Sequence, residues 1–196
     1  MFIEQKKLPD IEFCRNAAPL SNKLAERKAE FDEALRDNFE KRGKLTVVCG
    51  PCAADDSAAM SEYLTKLKKI SSDCANLLIA ARIYTSKPHS DGQGYKGACF
   101  HLRNGDDADL TEGILRCRRL MIECIEIGFP VADELLYPEL YGYFSDLVSY
   151  WFVGARSSED SLHRAFASGL NVCCGVKNGT DGDIDKAVES LYAVSR

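Results

Sequence analysis

Five short apolar runs recur along the chain, each continuous rather than alternating: Leu45–Cys49, Leu77–Tyr84, Pro130–Leu135, Trp151–Ala155 and Val172–Val176. A strand buried on both faces reads as an unbroken apolar run, so these predict a parallel sheet covered by helices. Helical patterns fill the intervals. Ser21 is placed to cap a helix running to about Arg42, with Leu24, Phe31, Leu35 and Phe39 at helical spacing and Gly43 as its stop. Further helices are predicted from Ser57 to Ile70 behind a capping Asp56, from Thr111 to Ile127 before Gly128, and over Glu139–Ser149, Glu159–Ser168 and Asp183–Val194. Residues 1–19 read as irregular, with Pro9 and Pro19 as breaks. The stretch 85–110 is Gly- and Asp-rich and too long for a simple connector, which marks it as functional.

Polar chemistry collects where these runs end. Cys49-Gly50-Pro51-Cys52 closes the first, Lys87-Pro88-His89-Ser90 follows the second, Gly154-Ala155-Arg156 closes the fourth, and Lys177-Asn178-Gly179-Thr180-Asp181-Gly182 follows the fifth. Three of these segments carry a cation and the first offers a soft metal ligand. Side chains gathered at the carboxyl ends of successive strands are how a β/α barrel builds an active site. Arg and Lys there suit a small substrate bearing phosphate and carboxylate groups. One strand-end Arg is as readily a surface cation. Arg82, Lys87, Arg156 and Lys177 at corresponding positions argue for a shared anionic ligand, because burying such groups without an anion is costly.

Composition narrows the class. The 196 residues suffice for one domain with a sizeable core. A net charge of −5 leaves no basic stripe for nucleic acid. No apolar run is long enough to span a membrane, and the N-terminus is not a signal peptide, so a cytoplasmic location is expected. Nine cysteines form an odd set without a secretory signal, which argues against a disulfide framework. Apart from Cys52 they read as small buried hydrophobes. Cys-Gly-Pro-Cys after a strand is also the signature of thiol-disulfide oxidoreductases. Here, however, Val48 precedes it instead of an aromatic residue, and Ala53 to Ser57 delay the following helix. A zinc site would need a second Cys or His pair at ligand spacing, and none is evident.

The segments CGPC, ARIYTSKPHS, GARSSEDSLHR, ASGL and VKNGTDG together resemble the microbial class I 3-deoxy-arabino-heptulosonate-7-phosphate (DAHP) synthases, from about Leu20 to the C-terminus. The resemblance implies a metal-dependent (β/α)8 barrel that condenses phosphoenolpyruvate with erythrose 4-phosphate, the first step of the shikimate pathway to aromatic amino acids. Position by position, it makes Cys52 the metal-binding cysteine, of Mn, Fe, Co or Zn. Arg82, Lys87, Arg156 and Lys177 become the cations that hold phosphoenolpyruvate. Lys87, Pro88, His89 and Ser90, with Arg156, become the segment that receives erythrose 4-phosphate. Glu134 matches an active-site-facing Glu, and Lys87 and Cys52 are the expected catalytic pair. Residues 1–43 resemble an extension used for subunit contacts and feedback by an aromatic amino acid, with 44–196 as the catalytic domain and a homo-oligomer as the complete enzyme.

Two departures stand out. His89 occupies a position where the family has Arg, and an imidazole cannot form the bidentate phosphate fork of a guanidinium. The chain also supplies five β/α units where the family has eight, so an incomplete barrel with an N-terminal helical extension is expected. The other metal ligands would lie beyond it. Five strands cannot close, leaving unpaired edges and low stability in isolation. The readings are therefore a fragment or split piece of such a synthase, a non-catalytic partner of a full-length one, or a CGPC oxidoreductase.

Overall fold

A computed structural model describes residues 7–88, 95–101 and 109–194. Five strands, β1 (Leu45–Cys49), β2 (Leu77–Arg82), β3 (Val131–Glu134), β4 (Val148–Val153) and β5 (Cys173–Val176), lie parallel in the order of the chain. The register runs Val48 to Ala80, Arg82 to Ala132, Ala132 to Tyr150 and Tyr150 to Cys173. Helices α3 (Ser57–Ser71), α4 (Leu110–Ile127), α5 (Tyr141–Phe144), α6 (Ser161–Ser168) and α7 (Ile184–Val194) connect or follow the strands. This is the expected incomplete β/α barrel, a curled sheet of five units. Among the described residues no helix is long and apolar enough to cross a membrane.

Local chemistry sets the helix limits. Asp56, Asp109 and Asp160 each accept a bond from the backbone N–H three residues on, satisfying donors that the helix itself cannot reach. Gly128 ends α4 in the left-handed conformation at φ 111°. After α2 (Asn22–Lys41) the left-handed residue is Arg42, at φ 49°, one position before the expected Gly43.

Two apolar cores lie on opposite faces of the sheet. On the outer face Ala81, Ile83, Val131, Val148 and Trp151 pack with Met60 and Leu64 of α3 and with Ile114, Leu120, Met121 and Ile125 of α4. On the inner face Ala80, Ala132 and Tyr150 pack with Leu78, Val48, Phe152 and Cys173, and Leu35 of α2 joins them fully buried. Helix α2 thus lies across the amino ends of the strands, where Arg36 also donates to Asn171 O at 3.1 Å and Arg27 to Glu126 O at 2.9 Å. Asn38 ties it to β1 by donating to Lys44 O and Thr46 Oγ1 at 2.8 and 2.7 Å.

Three expectations are corrected. The irregular N-terminus contains α1 (Ile11–Ala17), capped by Asp10 and fixed from afar, with Cys14 buried and Arg15 donating to Gly142 O at 2.7 Å. The helix expected over Glu139–Ser149 is a 3-10 turn, Pro138–Leu140, running into the single turn of α5. Residues 145–147 form a turn, and the last two of that stretch belong to β4, which begins at Val148 and ends at Val153, because Val148 and the three aromatics after Ser149 favour an extended chain. A bulge accompanies the shift: Val131 pairs with Val148 and Ala132 with Tyr150, leaving Ser149 extra. A one-residue slip reverses the facing of everything after it, so Val148 looks outward while Tyr150 and Phe152 look inward.

Candidate active site at the carboxyl ends of the strands

The inward phase of β2 continues from Ala80 through Arg82 to Tyr84, and that of β3 from Ala132 to Glu134. Arg82 reaches back over the end of β1, where its Nη2 donates to Gly50 O at 2.5 Å and its Nε to Pro51 O at 3.2 Å. Gly50 permits this closeness, since a Cβ there would lie 2.4 Å from Arg82 O. The guanidinium also rests over the Tyr84 ring, 5.0 Å from its centroid.

Lys87 closes the same corner. Its Nζ lies 2.7 Å from Cys52 Sγ and also donates to Cys52 O. The hydrogen bond from Lys87 holds the Cys52 thiol below the ordinary thiol range, against the effect of burial, and the charges of Lys87, Arg82 and Lys177 add to it. Cys52 is exposed, Cys49 sits within β1, and no disulfide joins any of the nine cysteines. Helix α3 begins only at Ser57, five residues past Cys52, so no helix start lies at the Cys-X-X-Cys pair.

Lys177 follows β5, its N–H donating to Val153 O at 3.0 Å. Its Nζ donates to Glu134 Oε2 at 2.5 Å and sits 4.7 Å from the Tyr84 ring centroid and 5.8 Å from that of Phe152. Burial opposes the charge on Lys177, yet its bonds to Glu134 and Tyr84 outweigh burial and raise its pKa. Gly154 makes room for Glu134, because a Cβ at Gly154 would come within 2.1 Å of Glu134 Oε1.

Behind these groups lies a carboxyl that the sequence reading missed. Asp133, 1% exposed, accepts from Thr85 N at 3.1 Å, Glu134 N at 2.7 Å and Thr85 Oγ1 at 2.8 Å. Burial pushes its pKa up to about 7 despite those three bonds.

The structure therefore brings Cys52, Arg82, Lys87, Glu134 and Lys177 into one connected cluster floored by Tyr84 and Phe152. Arg156 is exposed in the turn after β4, at the same end of the sheet, but outside the contacts that join the others. Pro88 is half-buried beside Lys87. His89 and Ser90 lie outside the described residues. Tyr84 was legible as the next inward position after Arg82. Phe152 was not, since its facing depends on the bulge at Ser149.

Among the described residues no group of three or more His, Cys, Asp or Glu side chains could hold a metal ion. Cys52 offers one exposed, acidified thiol, and a single donor does not make a metal site.

Residues 36–195 match the model of the DAHP synthetase I family. The chain belongs to that family. It is 32% identical over 195 residues to the Tyr-sensitive phospho-2-dehydro-3-deoxyheptonate aldolase of Escherichia coli (strain K12), covering 98% of this chain and 54% of the relative. A phospho-2-dehydro-3-deoxyheptonate aldolase of Corynebacterium glutamicum is 34% identical over 182 residues, 90% of this chain and 49% of that one. Among solved structures, the phospho-2-dehydro-3-deoxyheptonate aldolase of Francisella tularensis SCHU S4 superimposes with a TM-score of 0.91 at 30% identity, over 98% of this chain and 57% of the other. The chain spans about half the length of these DAHP synthetase I relatives.

Proposed function

We propose that this chain carries the phosphoenolpyruvate-binding part of a site that condenses phosphoenolpyruvate with erythrose 4-phosphate to give DAHP and phosphate. The observation that supports it is the convergence of Arg82, Lys87 and Lys177 at the carboxyl ends of the strands, with Arg156 exposed at the same end. Those cations suit one phosphate and one carboxylate. In the reaction the enol methylene carbon bonds to the aldehyde carbon, the aldehyde oxygen takes a proton, and water replaces the departing phosphate. Lys87 is assigned to the aldehyde, where its ammonium stabilises and protonates the oxygen as negative charge develops. His89, Ser90 and Pro88 complete the sugar-phosphate segment in this reading. Cys52 is assigned as one ligand of a divalent cation whose remaining ligands come from outside the described residues; bound there, the cation would polarise the aldehyde as a Lewis acid.

Titration calorimetry with phosphoenolpyruvate tests the reading. Binding by the chain, lost in Lys177→Ala and in Arg82→Ala, is the expected result. No heat with phosphoenolpyruvate, or binding unchanged in both variants, would overturn it.

Feedback by an aromatic amino acid is proposed on a second observation. A groove of about 390 Å³ is lined by Leu8, Lys96, Phe100, Tyr137, Glu139 and Leu140, with the Phe100 and Tyr137 rings edge to face at 5.4 Å. It offers an aromatic ring a stacking surface, and an amino-acid backbone one charge of each sign. Two Escherichia coli relatives are named Tyr-sensitive and Phe-sensitive. A thermal shift by L-tyrosine or L-phenylalanine that disappears in Tyr137→Ala is expected; no shift with either amino acid would sink the assignment.

A further inference from the structure

The last main-chain bond that β2 makes to β3 runs from Ile83 N to Ala132 O, at 2.8 Å. Past it the chain must still travel from Tyr84 to Lys87 and arrive with the Lys87 ammonium on Cys52. On the β3 side no further backbone bond among the described residues fixes that path, and on the β1 side Ala54 N reaches Tyr84 O alone, at 3.2 Å. A side chain takes over. The Asp133 carboxylate receives both the N–H and the hydroxyl of Thr85, two residues before Lys87. On the other side of the same segment Thr85 O accepts from Cys99 N at 3.0 Å, and Lys87 N donates to Lys96 O at 2.8 Å.

We propose that Asp133 is a positioning residue of the site: by clamping Thr85 it sets the path of residues 85–87 and so holds Lys87 on Cys52. The inference rests on the reading above for its functional meaning, since that reading is what makes the Lys87 position matter. The physical case is one of cost against role. A carboxyl at 1% exposure to which no cation among the described residues is bonded is expensive, and burying it serves no apolar packing. The titratable groups that face it are Glu134 on its own strand and the buried Cys99 of the neighbouring segment, neither of which favours a negative charge. What offsets the cost is the set of three donors, two of them from Thr85. The third is Glu134 N, so the same carboxyl also braces the backbone of the residue that holds Lys177.

The test reads the Lys87–Cys52 contact directly. o-Phthalaldehyde bridges an amine and a thiol that lie side by side, releasing two waters and leaving a fluorescent isoindole. The full chain should form it quickly, and Cys52→Ser or Lys87→Met should not, which assigns the signal. Asp133→Ala removes all three of these buried hydrogen bonds and should slow isoindole formation roughly tenfold. Asp133→Asn keeps an oxygen for the two N–H groups and should restore most of the rate. Thr85→Val deletes the hydroxyl alone and should give an intermediate rate, with Thr85→Ser rescuing it.

An Asp133→Ala protein that forms the isoindole as fast as the parent overturns the proposal. If Asp133→Ala fails to fold by circular dichroism, Thr85→Val decides, and an unchanged rate there overturns it equally. Calorimetry with phosphoenolpyruvate separates the two readings. A chain that shows the Asp133 effect on the isoindole but binds no phosphoenolpyruvate keeps the positioning role and loses the functional one. A chain that binds phosphoenolpyruvate without the Asp133 effect does the reverse.

Discussion

The Lys87 ammonium lies 2.7 Å from the Cys52 sulfur although 35 residues separate them in the chain. A positive charge at that distance favours the thiolate, and the thiolate is the form that alkylates and binds metals. The charges of Arg82 and Lys177 act in the same direction. Cys52 should therefore react with iodoacetamide at a lower pH than an ordinary thiol and ahead of the other cysteines, five of which have pKa values raised chiefly by burial. Lys87→Met should move the pH profile of Cys52 alkylation upward, read by mass spectrometry of the peptide that contains it. A profile unchanged by the substitution would refute the contact.

Gly50 and Gly154 occupy similar places at strand ends, yet their alanine variants should behave differently. At Gly154 the added Cβ meets only the far end of the Glu134 side chain, which can swing aside. The fold should survive with little loss, while the Glu134–Lys177 pair breaks and phosphoenolpyruvate affinity changes. At Gly50 the added Cβ meets the Arg82 main chain, which cannot move without disturbing β2. Gly50→Ala should cost about 1–3 kcal/mol in urea denaturation, the range for overpacking a tight site.

Arg118 is wholly buried in α4. It donates to Asp146 through both terminal nitrogens at 2.8 Å, to Ala18 O at 3.0 and 3.1 Å, and to Tyr143 O. It thereby joins the link after α1, α4 and the turn around α5. Arg118→Met strands the Asp146 carboxylate and the carbonyls of Ala18 and Tyr143 and should destabilise by about 3–5 kcal/mol. A loss below ~1 kcal/mol would show that water or Arg15, 3.8 Å from the same carboxylate, takes over.

The Asp133 carboxyl, with its pKa near 7, predicts a pH dependence of known sign. Its folded pKa lies above the unfolded value, so the folded state holds the proton more tightly. Stability from this group is greatest below the unfolded carboxyl pKa and falls as pH rises toward the folded one. Asp133→Asn carries no such dependence. The stability difference between the two proteins should move in favour of Asn by on the order of 3 kcal/mol between pH 4 and pH 8. A difference that stays flat across that interval would mean the carboxyl is not held proton-bound.

The order and number of strands were legible because each is an unbroken apolar run, and Ser21 and Asp56 marked where two of the helices start, whereas the caps Asp109 and Asp160 emerge only from the structure. The site was legible as types of residue at strand ends, chiefly Cys52, Lys87 and Lys177. What the sequence concealed depends on distant partners. Helix α1 is too short to stand on propensity and is fixed by Arg15 reaching Gly142. The bulge at Ser149 leaves no local mark, yet it decides that Phe152 lies under Lys177. Asp133 reads as a polar interruption in an apolar strand until Thr85 is seen opposite it.

Helix α2 lies across the amino ends of the strands, and this has a consequence for synthesis. Leu35 emerges from the ribosome long before most of the residues that bury it, Ala80, Ala132 and Tyr150. Until β4 has been made, Leu35 has no complete surface to pack on, and it must wait in solvent or on a chaperone. Contacts so distant along the chain form slowly and leave partly made forms open to aggregation. A helix made early is thus completed late, by strands that follow it at long range in the chain.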